Sequence, residues 1–502
     1  MTSESKNNEM TLLRRIGKLS AVIGPDTNQR FVRIFGACGV LIVWRLILSC
    51  LLGLGDDEGY YWDWSQHLSW SYYDHPPLVG WLIALSQAIF PKAEWSVRLP
   101  FIILDLLTGW MFYRLARSRG STTPFLSVAV LVVLIPLYSL GGFMAFPDIP
   151  MLAAWVVALL MASELEQQPE ALSKWLLLGL ACGLAILSKL TGLILLACVG
   201  IWALVTPQVR REFLRPRLWL GFLLTCLLVT PIVIWNLQHD FPTIRFQLWE
   251  RHQGPWNLER GLTFFLAQLL LLSPYIWFSV FKALKEENRW LLSFSILPLL
   301  IFYFQPLRSN FLPHWTAPAY LAPLAVISWQ WNKSLKLNLA YLVVVNFLFL
   351  LLCSFPVMPW LATRVNVADW NPRFDFTNDF YGWDKAGADV AKLAAQIQRD
   401  EGESPLLLAS RYQIAGNLAF YSDLEATAYG DRANAYRFFS NSLYAHPIAK
   451  RTILFVADNR YSSGPEQIGV LKNCTKLEDR SIERWGFLAR TFSIWRCASS
   501  EN

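Results

Sequence analysis

The sequence predicts a polytopic α-helical membrane protein that ends in a small α/β domain. Of the 502 residues, 54% are apolar and only 16% are charged, whereas a soluble protein usually contains about a quarter charged residues. The apolar residues gather in long runs, and the 24 tryptophans are typical of a chain that meets the interfaces of a bilayer. Beyond about residue 362 these runs stop, and short apolar strands alternate with a helical pattern.

The apolar runs predict eleven membrane spans. Most of them approach the roughly 20 residues that a helix needs to cross a bilayer. A further run at 78–91, of about 14 residues, suits a helix that lies along the membrane surface. The eleven spans are expected at 34–54, 99–116, 124–143, 147–163, 174–188, 190–206, 218–236, 262–281, 290–305, 315–330 and 337–355.

The placement of charge predicts the orientation of these spans. The segment 1–33 is polar and basic, which indicates a cytoplasmic N-terminus rather than a cleaved signal peptide. With 78–91 taken as a surface helix, the basic loops near 114–119, 210–217, 282–289 and 333–336 fall on the same side. The expected organisation is therefore a cytoplasmic segment 1–33, a membrane domain 34–360 whose first outer loop is 55–98, and an extracytoplasmic domain 361–502.

The C-terminal region carries a mixed pattern. Residues 385–400 have apolar positions at helical spacing, and 405–410, 451–458 and 490–498 are short apolar runs that indicate buried strands. Together they predict an α/β domain. Cys474 and Cys497 lie in this polar region. They can pair if the domain is extracytoplasmic, but the sequence alone leaves their geometry open.

The first outer loop holds two polar clusters. Asp57 and Glu58 follow the first apolar run, where a carboxylate can act as a general base toward an acceptor hydroxyl or amine, or hold a metal ion. Asp74 and His75 precede two prolines and can bind a divalent metal, or His75 can bond a phosphate. The alternatives are a solvated acidic loop and an interfacial histidine that bonds to backbone.

Further charged residues fall at the same predicted boundary. Asp148, in FPDIP, either caps the following helix or faces the site. Lys189 is a lone cation in an apolar stretch and is either a phosphate ligand or a lysine that extends to the interface. Guanidinium groups match phosphate oxygens, so the remaining candidate phosphate ligands are Arg98, Arg245 and Arg308, and the candidate metal ligands are Asp74, His239 and His314.

Missing motifs narrow the function classes. The chain contains no phosphate-binding Walker loop, no dinucleotide fingerprint and no GxSxG turn. A nucleotide-driven pump and a soluble nucleotide-sugar enzyme are therefore disfavoured. The net charge of +7 resides largely in short loops, which indicates membrane topology rather than nucleic-acid binding. A membrane enzyme, a transporter or flippase for a lipid-linked polar group, and a non-catalytic scaffold stay open at this point.

Several motifs taken together resemble one family. They are DDEGYYWDWSQHLSWSYYDHPPLVGW from residue 56, VRLP at 97–100, FPDIP at 146–150, LSKLTG at 187–192, IWNLQHD at 234–240 and PHWTAPAY at 313–320. This set resembles bacterial glycosyltransferase family 39. The family is the membrane-embedded, polyprenyl-phosphate-sugar-dependent class that includes protein O-mannosyltransferases and the lipid A aminoarabinose transferase.

The resemblance implies a GT-C fold in the bacterial inner membrane, with juxtamembrane helices, the active site and the C-terminal domain on the periplasmic side. It implies that Asp57 is the catalytic carboxylate, that Glu58 supports it, and that a sugar moves from a polyprenyl phosphate to a glycolipid, glycan or protein. Asp74-His75 stands where the lipid A transferase has Glu-Lys. His75 therefore occupies the position of a phosphate ligand, and Asp74 that of an acid in a candidate divalent metal site.

Overall fold

The computed structural model describes residues 25–139, 141–285, 288–309, 311–330, 332–367, 370–439, 451–461 and 464–499. It describes side chains from residue 36 onward, except that of residue 252. The side chains of the predicted cytoplasmic segment 1–33 thus lie outside the described residues.

Every predicted apolar run forms helix. Most runs give one helix, whereas the runs at 124–143 and 262–281 are divided at Pro136 and Pro274, since proline cannot donate a helical hydrogen bond. The α-helices of this part are Pro25–Leu51, Asp56–Gln66, Leu78–Gln87, Glu94–Ser118, Pro124–Val128, Pro136–Ser139, Asp148–Leu165, Leu172–Ser188, Gly192–Val205, Pro207–Arg210, Pro216–Gln238, Pro242–Leu248, Leu258–Leu272, Pro274–Ala283, Arg289–Phe304, Ala317–Val326, Lys333–Ser354 and Val357–Arg364, with a π-helix at Ala129–Leu134.

The described helices confirm a multi-pass membrane protein. Five of them are long and apolar enough to cross a bilayer, and the number rises to eight if each of three bent helix pairs is one span. The first bent pair joins Gly36–Leu51 to Asp56–Gln66 at an angle of 62°. The helix Pro216–Gln238 leaves large apolar side chains such as Leu223 and Leu227 exposed, which suits contact with lipid. The count of eleven spans stays a prediction.

Two glycines allow close packing of neighbouring helices. A Cβ atom at Gly179 would lie 2.0 Å from the carbonyl oxygen of Gly221, and one at Gly221 would lie 2.4 Å from that of Trp175. The Thr225 hydroxyl donates to the Gly179 carbonyl across the same contact at 2.9 Å. Helices Leu172–Ser188 and Pro216–Gln238 therefore pack backbone against backbone, as small residues permit in membrane proteins.

The C-terminal region forms the expected α/β domain. Its described strands make one sheet in the order β2-β1-β3-β5-β4, in which β1 is parallel to β2 and β3, while β5 is antiparallel to β3 and β4. The strands are β1 Leu406–Ala409, β2 Ala426–Ala428, β3 Thr452–Asp458, β4 Leu471–Arg484 and β5 Phe487–Ser499, and the helices are Trp383–Glu401 and Tyr412–Ser422.

Two strands of this sheet were not predicted. Strand β2 has only three residues, and β4 alternates exposed charged residues with few buried ones. Both lie at the edges of the sheet, where short length and charge are common because they discourage pairing with other chains. Cys474 on β4 and Cys497 on β5 form a disulfide, so the pairing that the sequence left open is present in the structure.

A buried ion pair joins the first outer helix to the membrane helices. Both Glu58 and Arg98 are fully buried. The Glu58 carboxylate accepts hydrogen bonds from Arg98 Nε at 2.9 Å and Nη2 at 2.6 Å, and from the backbone N–H groups of Gly55 and Ala145. Arg98 also donates to the carbonyls of Ser49, Leu52 and Gly53. These hydrogen bonds fix the C-terminal end of the helix Pro25–Leu51.

We expect Glu58→Gln to destabilise the protein by about 3–5 kcal/mol, because it leaves the Arg98 charge buried without its partner. The measurement is the fraction of detergent-solubilised protein that remains monodisperse as temperature rises. Arg98→Met should have a similar effect, and the double variant should lose less than the sum of the two losses. Strict additivity of the two effects would contradict a coupled pair.

Candidate active site

A polar cavity of about 570 Å³ lies where the ends of several membrane helices meet the C-terminal domain. Six sequence-predicted site residues line it, namely Asp57, Asp74, His75, Asp148, Lys189 and His314. The other residues that line it are Tyr60, Tyr61, Phe146, Pro147, Phe246, Arg251, Gly254, Arg260, Ser309, Leu312, Trp315, Tyr412, Arg432 and Asn434.

Three consecutive acids in the first turn of the helix Asp56–Gln66 point in different directions, because successive residues of an α-helix are about 100° apart. Glu58 turns inward to Arg98. Asp56 turns to the C-terminal domain, where its carboxylate accepts from Arg490 at 2.9 Å and from the Tyr461 hydroxyl at 3.1 Å. Asp57, between them, faces the cavity.

Asp57 occupies surroundings that favour its protonated form. Burial, together with the neighbouring charges of Asp56 and Asp74, raises the pKa of Asp57 to about 7. A hydrogen bond from Gln413 and the charge of Arg251 act in the opposite direction. A carboxyl group whose pKa lies near neutrality is well suited to accept a proton during a reaction.

Asp74 is held by the C-terminal domain and by the outer helix. Its carboxylate accepts hydrogen bonds from the Tyr60 hydroxyl and from Asn434 Nδ2, the latter at 2.7 Å. Burial raises the pKa of Asp74 to about 6, although both hydrogen bonds favour the ionised form. Both oxygens of this carboxylate thus have protein partners, which makes Asp74 an anchor between the two parts of the cavity wall.

The surroundings of the two histidines of the cavity lower the pKa of each and so favour the neutral imidazole. Burial and the charges of Lys189 and Arg251 lower the pKa of His75 well below its usual value. Burial lowers the pKa of His314 to about 4. The buried Nδ1 of His75 has no hydrogen-bond partner among the described residues, so it is available to a bound ligand.

One cation of the cavity is paired and another is not. Lys189 Nζ donates to both oxygens of Asp148, at 2.8 and 2.9 Å. The Arg251 guanidinium lies over the ring of Trp315 at 4.0 Å and donates to the Gln247 side chain at 3.3 Å. No carboxylate among the described residues forms an ion pair with Arg251, so its charge is available to an anion.

Five predicted site residues lie elsewhere, and one of them is Arg308, which donates to the Gly254 carbonyl at 3.3 Å and does not line the cavity. Glu58 and Arg98 are fully buried and pair with each other, so their predicted contacts with substrate are replaced by a structural role. Arg245 is exposed on the short helix Pro242–Leu248 and does not line the cavity. His239 bonds to the Trp235 carbonyl through Nδ1 at 2.8 Å and stacks on the Trp235 ring.

The predicted set of metal ligands is not assembled. Asp74 and His314 both line the cavity, but His239 does not. Within the described ranges, no group of three or more histidine, cysteine, aspartate or glutamate side chains stands at the spacing of a metal site. The combination of Asp74, His239 and His314 as three ligands of one ion is therefore corrected.

Several cavity residues were missed in the sequence. In the sequence, Arg251 and Arg260 fall between two predicted apolar runs on the predicted outer side, which was the available signal, and the structure places Arg260 on the helix Leu258–Leu272. Tyr412, Arg432 and Asn434 come from the C-terminal domain. Nothing in the sequence indicated that a loop after a three-residue strand would reach back to the membrane helices.

Comparison with known proteins finds relatives that are glycosyltransferases. Residues 74–235 match the family described as dolichyl-phosphate-mannose-protein mannosyltransferase. The chain is 26% identical to the lipid A galacturonosyltransferase RgtD of Rhizobium johnstonii over 468 residues, which cover 88% of this chain and 93% of that protein. The chain is therefore similar to glycosyltransferases of the kind that its motifs resemble. The resemblance drawn from its motifs is confirmed.

A second relative matches part of this glycosyltransferase. The undecaprenyl phosphate-alpha-4-amino-4-deoxy-L-arabinose arabinosyl transferase of Erwinia tasmaniensis is 25% identical over 333 residues, which cover 60% of this chain and 58% of that protein. Its name, like that of RgtD, describes a glycosyl transfer enzyme.

Solved structures establish the fold of this glycosyltransferase. ArnT from Cupriavidus metallidurans in the apo state superposes with a TM-score of 0.62 at 16% identity, covering 93% of this chain and 98% of that one. The same protein bound to undecaprenyl phosphate gives a TM-score of 0.60 at 18% identity, covering 92% of this chain and 97% of that one. The expected GT-C fold is thereby confirmed.

The C-terminal domain of this glycosyltransferase reaches the cavity through a close contact of two helices. A Cβ atom at Gly416 would lie 2.6 Å from the backbone of Tyr60, and one at Gly59 would lie 2.5 Å from the side chain of Asn417. Asn417 also donates to the carbonyl of Asp56 at 3.2 Å. The contact therefore fixes the helix that carries Asp57 against the helix Tyr412–Ser422.

We expect Gly416→Ala to destabilise this contact by about 1–3 kcal/mol, because the added methyl group would overlap backbone that cannot move aside. Gly469→Ala is the matched control, since a Cβ atom at that position meets nothing within 4 Å. The measurements are thermal unfolding and the rate of proteolysis between the membrane part and the C-terminal domain. Equal behaviour of the two variants would refute the close contact.

Proposed function

We propose that this protein transfers a glycosyl group from a polyprenyl phosphate to an acceptor of the bacterial envelope. One observation supports the proposal most: the cavity brings the carboxyl group of Asp57, whose pKa is about 7, together with Arg251 and Lys189. A base and a group of cations in one cavity suit a reaction in which an anion leaves. We propose lipid A as the acceptor because the name of RgtD describes a transferase that acts on lipid A.

In this reaction Asp57 is the general base. The acceptor hydroxyl attacks the anomeric carbon of the sugar and forms a new C–O bond, while its proton passes to the Asp57 carboxylate. The bond between the anomeric carbon and the phosphate oxygen breaks, and its electron pair leaves with the polyprenyl phosphate. Asp57 must be ionised beforehand, and a pKa of about 7 leaves much of it so at neutral pH.

Arg251 and Lys189 stabilise the leaving phosphate. Arg251 forms no ion pair with a described carboxylate, and both cations lie against the face of Trp315, at 4.0 and 4.8 Å from its centroid. A guanidinium binds phosphate oxygens in a bidentate manner. In a cavity shielded from water, such fixed charges lower the energy of the departing anion. The unpartnered Nδ1 of His75 adds a hydrogen-bonding group beside them.

An apolar cavity beside the polar one suits the prenyl chain. It has a volume of about 310 Å³ and shares Phe146, Asp148 and His314 with the polar cavity. Its walls are otherwise largely apolar, with residues such as Leu152 and Leu271. A lipid phosphate at the boundary of the two cavities would have its charge in one and its chain in the other.

We place the site on the periplasmic face of the inner membrane, with residues 1–33 in the cytoplasm, 34–360 in the membrane and 361–502 in the periplasm. The basic loops support this orientation by the positive-inside rule. The disulfide between Cys474 and Cys497 supports it as well, because disulfides persist in oxidising compartments. Reporter fusions at the C-terminus test the orientation.

We expect Asp57→Asn to lower transfer of the sugar by about 10²- to 10⁴-fold, the usual contribution of a general base. In the wild type, kcat/KM should rise with pH through about 7, since the base is protonated and inactive below this pKa and ionised above it. The measurement is transfer from a synthetic polyprenyl-phosphate donor as a function of pH.

Asp63→Asn is the matched control for Asp57. Asp63 lies on the same helix, burial raises its pKa to about 7 as well, and its carboxylate accepts from the Tyr436 hydroxyl at 2.6 Å outside the cavity. In this variant kcat/KM should still rise with pH through about 7, as in the wild type. Full activity of a correctly expressed Asp57→Asn enzyme would refute the role of the base.

We expect Arg251→Met to weaken binding of polyprenyl phosphate by about 10- to 100-fold, the usual range for a charge-assisted hydrogen bond. The Met side chain retains the packing against Trp315 but removes the charge. Arg245→Met is the control, because Arg245 is exposed on a neighbouring helix. The measurement is the dissociation constant of a short-chain polyprenyl phosphate. Equal affinity in the two variants would contradict the assignment.

A further inference from the structure

The helix Lys333–Ser354 leads from the membrane part into the C-terminal region. It is one of the five described helices that are long and apolar enough to cross a bilayer. Its 22 residues, at about 1.5 Å per residue, match the roughly 30 Å of a hydrocarbon core. Apolar side chains such as Val344, Phe347 and Leu348 are exposed along it, as contact with lipid requires. The residues that follow Ser354 therefore stand at the depth of the lipid headgroups.

The hairpin of β4 and β5 is bonded to the same end of this helix. Arg484, the last residue of β4, donates to the carbonyls of Leu352 and Cys353 at 3.1 and 3.3 Å. These carbonyls belong to the last helical turn and have no partner within the helix. The ring of Trp485, the next residue, lies 5.5 Å from that of Phe355. The tip of the hairpin thus stands at the same depth as the end of the helix.

The turn of this hairpin carries a tryptophan against the preference of its backbone. Trp485 and Gly486 have φ angles of 52° and 80°. Positive φ at both central residues is the pattern of a type I′ turn, in which Asn-Gly is favoured, and a bulky side chain is rare in this conformation. The Trp485 side chain is 75% exposed, so packing against the protein offsets little of the strain. A position suited to asparagine instead presents an indole outward.

Exposed apolar side chains are concentrated around the hairpin tip. In the described part of residues 383–499, the large apolar residues with exposed side chains are Leu477, Trp485 and Leu488, and two of these three lie at the tip. The short helix Val357–Arg364, which begins two residues after Phe355, adds two more such side chains. We define the tip patch as Phe355, Trp360, Leu361, Trp485 and Leu488.

The charge beside the tip patch suits a lipid surface. The Arg364 guanidinium lies over the ring of Trp360 at 5.5 Å and forms no ion pair with a carboxylate among the described residues. An exposed cation that rests on an indole is typical of side chains at the headgroup level of a bilayer. Its charge matches the phosphates of anionic headgroups. A surface for another protein would not require the patch to coincide with the end of a membrane helix.

We propose that the tip patch inserts into the headgroup region of the bilayer that the membrane helices cross, as a second lipid contact of the C-terminal domain. The indoles would place their apolar bodies toward the acyl chains and their N–H groups toward water. Strand β5 leads from the tip at Phe487 to Arg490, which pairs with Asp56. The lipid contact therefore also steadies the strand that holds the first outer helix.

The test is a depth measurement on the full-length protein in nanodiscs of phosphatidylethanolamine and phosphatidylglycerol. Nitroxide labels are attached at Trp485→Cys and, separately, at Leu361→Cys, in a protein whose six free cysteines are replaced by alanine. Both labels should be more accessible to oxygen, which concentrates in the bilayer, than to a water-soluble nickel chelate. Leu477→Cys is the matched control, since Leu477 is exposed on β4 away from the tip. Its label should show the reverse order.

Each alternative environment of the patch gives a distinct result. Greater accessibility of the labels at 485 and 361 to the nickel chelate would overturn the proposal, because the patch would then face water. Low accessibility to both reagents would overturn it as well, because protein, such as a second copy of the chain, would then cover the patch. The label at Leu361→Cys leaves Trp485 in place, so the outcome does not depend on the folding of one variant.

A further variant separates the lipid contact from the preference of the turn. Asparagine suits the left-handed position better than tryptophan, so in water Trp485→Asn would stabilise the turn and slow amide hydrogen exchange. With the tip in the bilayer, loss of the contact should instead accelerate exchange of the hairpin amides in nanodiscs by about 5- to 30-fold. Leu477→Asn should leave these rates unchanged. Equal or slower exchange in Trp485→Asn would refute the lipid contact.

Discussion

The active cavity depends on two buried ion pairs on either side of Asp57. Glu58 forms an ion pair with Arg98 of the membrane part, and Asp56 forms one with Arg490 of the C-terminal domain. Both arginines are fully buried, so breaking either pair would leave a charge without water or a partner. The helix that begins at Asp56 is thus fixed in rotation, and this rotation presents Asp57 to the cavity.

The same arrangement explains why the C-terminal domain is part of the site rather than an appendage. Arg490 also lies 3.4 Å from Asp458 on β3, so the pair with Asp56 connects the sheet to the first turn of the outer helix. Asp56 in turn is one of the charges that raise the pKa of Asp57. A displacement of the sheet would alter the position and the proton affinity of Asp57, the proposed base, together.

The sequence was informative where a charge stood out from an apolar background. Asp57, His75, Asp148 and Lys189 were found because each lies beside an apolar run at the same predicted boundary, and all of them line the cavity. The sequence could not predict which side chain of the helical turn faces the cavity, since Asp57 and Glu58 are adjacent and differ only by the rotation of one residue around the helix axis. Arg432 was out of reach as well, because its approach depends on how the sheet docks onto the helices, a long-range contact without a local pattern.

Lys189 and Asp148 form an ion pair between the ends of two helices at the boundary of the membrane. Asp148 begins the helix Asp148–Leu165, and Lys189 follows the last residue of Leu172–Ser188. An acid at a helix N-terminus and a cation at a C-terminus are both favoured by the helix dipoles, so the pair is stable before any ligand arrives. A donor phosphate would gain little by taking Lys189 away from Asp148. On the proposed function, the unpaired Arg251 is therefore the cation whose charge would change partner when the lipid binds, and Lys189 would stay beside it as a fixed neighbour.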